Sequence, residues 1–262
     1  MSAGTLAEFF LAAWAAMAAG MALAFGLRRA TGNSGWIDAT WTFSVGVAGA
    51  ALAFWADAAG PRGLVVGAAA LLWAGRLGTH IVRRTLMAGD DPRYRALEAE
   101  WGANAAVRLF LFLQAQAFVG ALLALAIALA ASARPYAPRD ALAGALFAAA
   151  LVGEAVADRQ LERFKADPRN RGGICDAGLW SRSRHPNYFF EWLTWAAAAL
   201  AALDVLGGGS WSLTALIAPA VMFWTLRFAS GVPPVEQRMR ATRGEAFARY
   251  SAKTPVFFPR LF

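Results

Sequence analysis

The sequence predicts an all-α integral membrane protein: a seven-transmembrane-helix bundle in one membrane-embedded domain, residues 1–262. Three observations carry this. Hydrophobic side chains make up 58% of the chain and charged ones only 16%, against roughly a quarter charged in soluble domains. Apolar runs of about 20 residues, the length needed to cross a bilayer, follow one another from end to end. The basic residues between those runs fall almost wholly on alternate connections.

The first run, Leu6–Leu27, is too long for the apolar core of a signal peptide, and its only early charge is Glu8. It reads as a retained helix. Further runs lie near Trp36–Ala56, Gly63–Val82, Leu109–Ala131, Ala141–Leu161, Phe189–Leu206 and Trp211–Phe228. Gly207, Gly208 and Gly209 read as a turn between the last two. Alanine-rich stretches suit close packing of helix backbones.

The connections set the orientation. Arg28 and Arg29 follow the first run, and Arg83, Arg84, Arg93, Arg95 and Arg108 surround the third connection. A further basic group, from Arg159 to Arg184, surrounds the fifth, and the tail from Arg238 to Arg260 is basic again. The opposite connections hold only Arg62, Arg134 and Arg139. The positive-inside rule then predicts an outside amino terminus and a cytoplasmic carboxyl terminus. It also accounts for the net charge of +8, so nucleic acid is not an expected partner and membrane lipids are.

Several chemistries are excluded or weakly supported. The lone Cys175 cannot form an internal disulfide. HExxH, cysteine pairs and histidine clusters are absent, so no metal is expected. There is no GxGxxG after a strand and no Walker loop. Ser183 beside His185 is thin ground for a hydrolase.

Polar side chains inside apolar runs are expensive and mark candidate sites. Asp38 lies one turn into the second run. Arg76, His80, Arg83 and Arg84 fall at i, i+4, i+7 and i+8, on one helical face. Glu154, Asp158 and Glu162 form a second stripe, and Asn187 and Glu191 are again four apart. Each has a plainer reading: snorkelling arginines, buried ion pairs of Glu154 or Asp158 with Arg76 or Arg84, a helix-end cap at Asp38, an interhelical hydrogen bond at His80. All lie toward the side of the basic connections. Together they suit a large anionic, hydrogen-bonding ligand entering from the cytosol. Arginine forks take phosphates, while carboxylates and amides take hydroxyls, and a nucleotide fits that inventory.

The stretch GLWSRSRHPNYFFEW, residues 178–192, resembles the signature block of the steroid 5-alpha-reductase family, especially its bacterial branch. The segments RLGTHIVRR (76–84), GDDPRYRALEAEWG (89–102), EAVADRQLERFK (154–165) and GVPPVEQRMRATRGEAFARYSAKTPVFFP (231–259) resemble further parts of it in order and spacing. The likeness runs over most of the chain from about Asp38. It implies a seven-helix membrane bundle, NADPH as cofactor, and reduction of a carbon–carbon double bond conjugated to a ketone, the typical substrate being a 3-oxo-delta-4-steroid. It implies cofactor contacts at Asp158, Asn187 and Glu191, with Arg184, His185 and Tyr188 in the same block. By position it adds Arg240, Tyr250 and Lys253 in the tail, with Arg84 and Arg182 among the arginines expected to hold phosphates. The likeness and the alanine–arginine-rich composition also imply a bacterial inner membrane.

The sequence departs from the signature at Phe190, where the family has glycine, and at Arg182, where it has tyrosine. It also lacks the Gln-Glu pair of the second helix and the tyrosine of the third that hold the ketone in eukaryotic members. The expected chemistry is hydride transfer to the β-carbon of an apolar enone that enters from the bilayer, with negative charge developing on the ketone oxygen. The expected donors to that oxygen are Asp38 in its protonated form, or His80 or Arg76. Pro186 suits the first turn of a helix, whose amino terminus favours a phosphate. The alternatives are a methyltransferase of the isoprenylcysteine carboxyl type using S-adenosylmethionine, whose members also carry Arg-His-Pro followed by tyrosine and glutamate, and a non-catalytic lipid-binding membrane protein.

Overall fold

A computed structural model describes residues 2–57, 60–135, 137–204 and 210–260. Among these residues every regular element is helical. The turn expected at Gly207 to Gly209, and the end of the run expected at Leu206, lie outside the described residues.

Among the described residues, six helical segments are long and apolar enough to cross a membrane: Ala3–Thr31, Gly35–Ala56, Pro61–Met87, Pro92–Ser132, Ala137–Ala166 and Trp211–Lys253. They contain six of the seven expected runs. The remaining run, Phe189–Leu206, forms helix α7 (Pro186–Ala202), which has 17 residues. At 1.5 Å per residue it is about 26 Å long, short of a hydrocarbon layer of roughly 30 Å. The run from Trp211 is broken into a 3-10 turn (Ser210–Leu216), helix α8 (Ile217–Trp224), a π-turn (Thr225–Ala229) and helix α9 (Val232–Lys253). Pro219 in α8, and Pro233 and Pro234 at the start of α9, remove the backbone donors that one continuous helix would need.

The chain divides into two compact units, the first being Met1–Tyr136 with Ala199–Ala218. It contains α1 (Ala3–Thr31), α2 (Gly35–Ala56), α3 (Pro61–Ala88), α4 (Pro92–Trp101) and α5 (Ala105–Ser132). Helix α2 is the hub and packs on α1, α3 and α5. Two of its glycines make this close approach possible. A Cβ at Gly46 would enter the Ala74 side chain of α3, and one at Gly49 would enter Ile127 of α5. Helix α1 starts where the Ser2 side chain accepts from the Thr5 N–H at 3.1 Å. It stops at Gly32, in the left-handed region at φ 70°, whose N–H bonds the Arg28 carbonyl. Arg62 donates to the carbonyls of Ala130 (2.7 Å) and Ala201 (2.9 Å), which lie in the last turns of α5 and α7, where carbonyls run out of helical donors.

The second unit is Ala137–Ala198 with Pro219–Phe262. Here α6 (Ala137–Ala166) packs on a 3-10 turn, Gly178–Ser181. The Trp180 indole donates to the Ala157 carbonyl at 3.0 Å, and Gln160 accepts from the Leu179 N–H at 2.9 Å. The carboxyl-terminal segment folds back along the start of α7. The Arg184 N–H bonds Pro255 O at 2.9 Å, the Arg260 N–H bonds Arg182 O at 3.0 Å, and the Ser183 hydroxyl donates to Phe257 O at 2.8 Å. Phe189, Trp192, Phe223, Phe257 and Phe258 close the seam as an aromatic cluster, mostly edge to face.

Candidate functional site

A cluster of polar side chains lies in each unit. In the first unit the cluster forms where α2 begins and the chain turns from α3 into α4. The Ser34 N–H and hydroxyl both donate to Asp90, and the Asp91 N–H donates back to the Ser34 hydroxyl at 3.2 Å. Asp91 then caps α4, accepting from the Arg93 N–H at 2.9 Å, with Pro92 in the first turn. Burial pushes the Asp90 carboxyl up, but the two Ser34 donors and the Arg28 charge outweigh it and hold the group below the usual carboxylate range. Asp91 is held low in the same way, burial being outweighed by the Arg93 side chain, the Arg93 N–H and the Arg84 charge.

This loop delivers Arg93 and Tyr94 to Asp38 on α2. Arg93 makes an ion pair with Asp38 Oδ2 and bonds Asp91 Oδ2 at 2.9 Å. The Tyr94 hydroxyl donates to Asp38 Oδ1 at 2.9 Å and accepts from the Gln116 amide at 3.3 Å. Arg84 stands 3.7 Å from the same carboxylate. Tyr94 is 4% exposed.

Asp38, one of the expected donors, stands in ion pairs with Arg93 and Arg84 through Oδ2 and accepts from the Tyr94 hydroxyl at Oδ1. Arg76 and His80, the other expected donors, are half-buried on α3, two turns and one turn before Arg84.

The second unit gathers much of the expected cofactor set. Glu236 on α9 is 3% exposed. Its Oε1 meets Arg184 Nε at 2.8 Å and His185 Nε2 at 3.2 Å, and its Oε2 accepts from Arg240 at 2.8 Å. Arg184 also donates to the Ser251 carbonyl at 3.0 Å. The Tyr188 ring stacks on His185, centroids 5.3 Å apart. Burial pulls the His185 imidazole below its ordinary value, and the Glu236 carboxylate only partly offsets it. The Tyr250 hydroxyl donates to the Trp180 carbonyl at 2.6 Å and so ties α9 to the 178–185 segment.

Of the rest of the expected set, Arg84 lies in the first unit beside Asp38, and the others are dispersed within the second unit. Asp158 and Glu154 are buried on α6. Glu191 accepts from the Trp195 indole at 2.9 Å. Arg182 is exposed and donates to Arg260 O at 3.3 Å, and Lys253 is exposed at the end of α9. The Asn187 Oδ1 is buried without a hydrogen-bond partner. A buried acceptor in that state is costly unless something fills it.

The donor set fits an anionic nucleotide. Two guanidinium groups and an imidazole converge on one carboxylate, an arrangement that a phosphate also satisfies. Asn187 supplies an acceptor suited to a hydroxyl or carboxamide N–H. Phe190, where glycine was expected, places its ring over Gly153 of α6, where any Cβ would collide with it. The bulk added at 190 is therefore absorbed at 153.

Sequence reasoning missed Tyr94, Arg93 and Glu236 as site residues. Tyr94 is one of only four tyrosines in the chain. Glu236 is an acid set among the basic residues of the tail. Both signals were present, but neither residue stands in an apolar run.

No curated protein and no solved structure matches the chain. A family model described as "Protein of unknown function (DUF1295)" matches residues 24–254, which include Asp38, Tyr94, Arg184, His185 and Glu236. The match covers most of the sequence, and the chain belongs to this family.

Proposed function

We propose that the protein is an NADPH-dependent reductase of the carbon–carbon double bond in an apolar enone, most simply the 5-alpha reduction of a 3-oxo-delta-4-steroid. The observation that carries the reading is the buried Tyr94 hydroxyl, hydrogen-bonded to an ion-paired Asp38. A ketone oxygen gains negative charge as a conjugated double bond is reduced. A fixed donor aimed at that oxygen in a dry site lowers the barrier, typically by about 10²- to 10³-fold in rate. Tyr94 can turn its O–H from Asp38 to such an oxygen. Arg93 and Arg84 meanwhile keep the Asp38 charge compensated, and Gln116 holds the phenol oxygen in place.

Arg184, Arg240 and His185 would hold the cofactor phosphates, and Asn187 a ribose hydroxyl or the carboxamide. NADPH supplies the hydride. Apolar substrate is taken from the bilayer. The 178–192 resemblance supports the same assignment. In this reading α7 and the helices after Trp211 complete seven crossings. The amino terminus lies outside, and the carboxyl terminus and cofactor residues lie on the cytoplasmic side of a bacterial inner membrane.

The test is purified protein in detergent with NADPH and progesterone, following cofactor absorbance and the product mass. Oxidation of the cofactor with a gain of two hydrogens on the steroid is the expected result. Stabilisation by S-adenosylmethionine and none by NADPH would replace this reading with methyl transfer. Binding of steroid without turnover of any enone would leave a lipid-binding protein.

A further inference from the structure

Away from both polar clusters, the end of α1 and the start of α5 enclose a cleft of about 330 Å³ within the first unit. Its walls are Phe25, Arg28, Arg29, Ala105, Ala106 and Leu109, with Glu98 of α4 at one side. The cations and the apolar floor are segregated. Arg28 and Arg29 occupy the last turn of α1, where positive charge is favoured by the helix dipole. Phe25 and Leu109 lie toward the spans, and Phe25 packs edge to face on Phe110.

Arg28 is only partly used. Its Nη2 donates to Glu98 Oε2 at 2.7 Å, while its Nε is buried with no hydrogen-bond partner. A buried guanidinium N–H left unmade is costly. Arg29 is exposed, its guanidinium 5.9 Å from the Phe25 ring centre. One acid therefore faces two arginines inside the cleft.

We propose that this cleft binds the headgroup of an anionic phospholipid. The phosphodiester would sit on the guanidinium groups of Arg28 and Arg29, and the glycerol and upper acyl chain on Phe25, Ala106 and Leu109. Both helices that build it are long and apolar enough to span a bilayer, which places this charged end of α1 at headgroup depth. A free phosphate shares the anionic chemistry but has no use for the apolar floor. The site does not depend on the reductase reading.

The test is thermal unfolding of the full chain in dodecyl maltoside, titrated with dioleoyl-phosphatidylglycerol, with dioleoyl-phosphatidylcholine, or with inorganic phosphate. Phosphatidylglycerol should raise Tm saturably, and the other two should not. Arg29→Gln should weaken the phosphatidylglycerol midpoint about fivefold, the loss expected for one arginine near an anionic surface. Arg169→Gln, which removes an exposed arginine of the second unit, should leave it unchanged.

Glu98→Gln separates a lipid seat from a merely structural ion pair. It should lower the basal Tm yet strengthen the phosphatidylglycerol midpoint, because Arg28 is released to the headgroup. Equal shifts with phosphatidylcholine, or an equal effect of Arg29→Gln and Arg169→Gln, would overturn the proposal. An equal shift with inorganic phosphate would reduce the cleft to a simple anion site. If Glu98→Gln lowers both Tm and the lipid response, the ion pair is structural and the headgroup assignment fails.

Discussion

Gly153 of α6 and Phe190 of α7 form a matched small–large pair: a Cβ on the glycine would enter the phenylalanine ring. Gly153→Ala should therefore overpack this contact and cost about 1–3 kcal/mol. At roughly 2–4 °C per kcal/mol for a chain of this size, Tm should fall by several degrees. The double variant Gly153→Ala with Phe190→Ala should recover part of the loss relative to the sum of the two single changes. Strict additivity by thermal unfolding would show that the ring does not bear on the glycine.

The Tyr94 hydroxyl lies 2.9 Å from Asp38 Oδ1, and Tyr94→Phe removes it with little change in volume. Turnover of an enone should fall about 10²- to 10³-fold if this is the donor to the ketone oxygen. Stabilisation by NADPH should be unchanged. Asp38→Asn keeps an acceptor for Tyr94 but leaves Asp91 alone to balance Arg93 and Arg84, so it should lower both activity and Tm. Steady-state kinetics beside a cofactor thermal shift checks all of this. Full activity in Tyr94→Phe would move the donor elsewhere.

How much of this was legible depended on where the polar groups sit. Asp38, Glu154 and Asp158 were visible because a charge inside an apolar run is expensive and rare, and each is found on a helix where expected. The partners that give Asp38 its chemistry were not visible, because Arg93 and Tyr94 lie on a short polar helix. Hydropathy says nothing about which helix such a loop reaches. Glu236 escaped for the same reason: α9 is polar and lacks a helical apolar stripe to fix its orientation. The six long spans follow from composition alone, whereas α7 ends at Ala202 and residues 203–204 of its run are not helical.

Glu236 is the counter-charge for Arg184 and Arg240 and a hydrogen-bond partner of His185. Removing one member of a buried ion pair leaves the rest uncompensated and typically costs about 3–5 kcal/mol. Glu236→Gln should accordingly lower Tm clearly in the absence of ligand. An anionic nucleotide would then meet bare arginines, so its stabilising shift should be larger in the variant than in the parent chain. A smaller shift would mean that Glu236 organises the arginines for the ligand rather than standing in its place.

His185 gives that cluster a pH dependence whose sign follows from burial. Its imidazole lies below the ordinary value of 6.5 in the folded chain, so it is neutral there while the unfolded chain protonates near 6.5. Below that pH the unfolded state binds a proton that the folded state does not. The stability contribution is thus complete above pH 6.5 and is lost as pH falls toward the folded value. Tm should decline between pH 7.5 and 5.5, and His185→Gln should decline less over the same interval. Parallel declines would assign the acid sensitivity to other groups.

Ser34 holds the loop that presents Tyr94. Its side chain is fully buried, donating to Asp90 and accepting from the Asp91 N–H. Ser34→Ala deletes both bonds while the Ser34 N–H contact to Asp90 survives. The half-buried Asp91 N–H then loses its partner, at a cost of about 1 kcal/mol. The loosening should be local: backbone amides of residues 91–94 should exchange faster with deuterium, while those of the α2–α5 core keep their protection. Turnover should fall with Tyr94 still present, because its hydroxyl is no longer held against Asp38. Unchanged exchange at 91–94 would show that the Arg93 bonds to Asp38 and Asp91 suffice to seat the loop without Ser34.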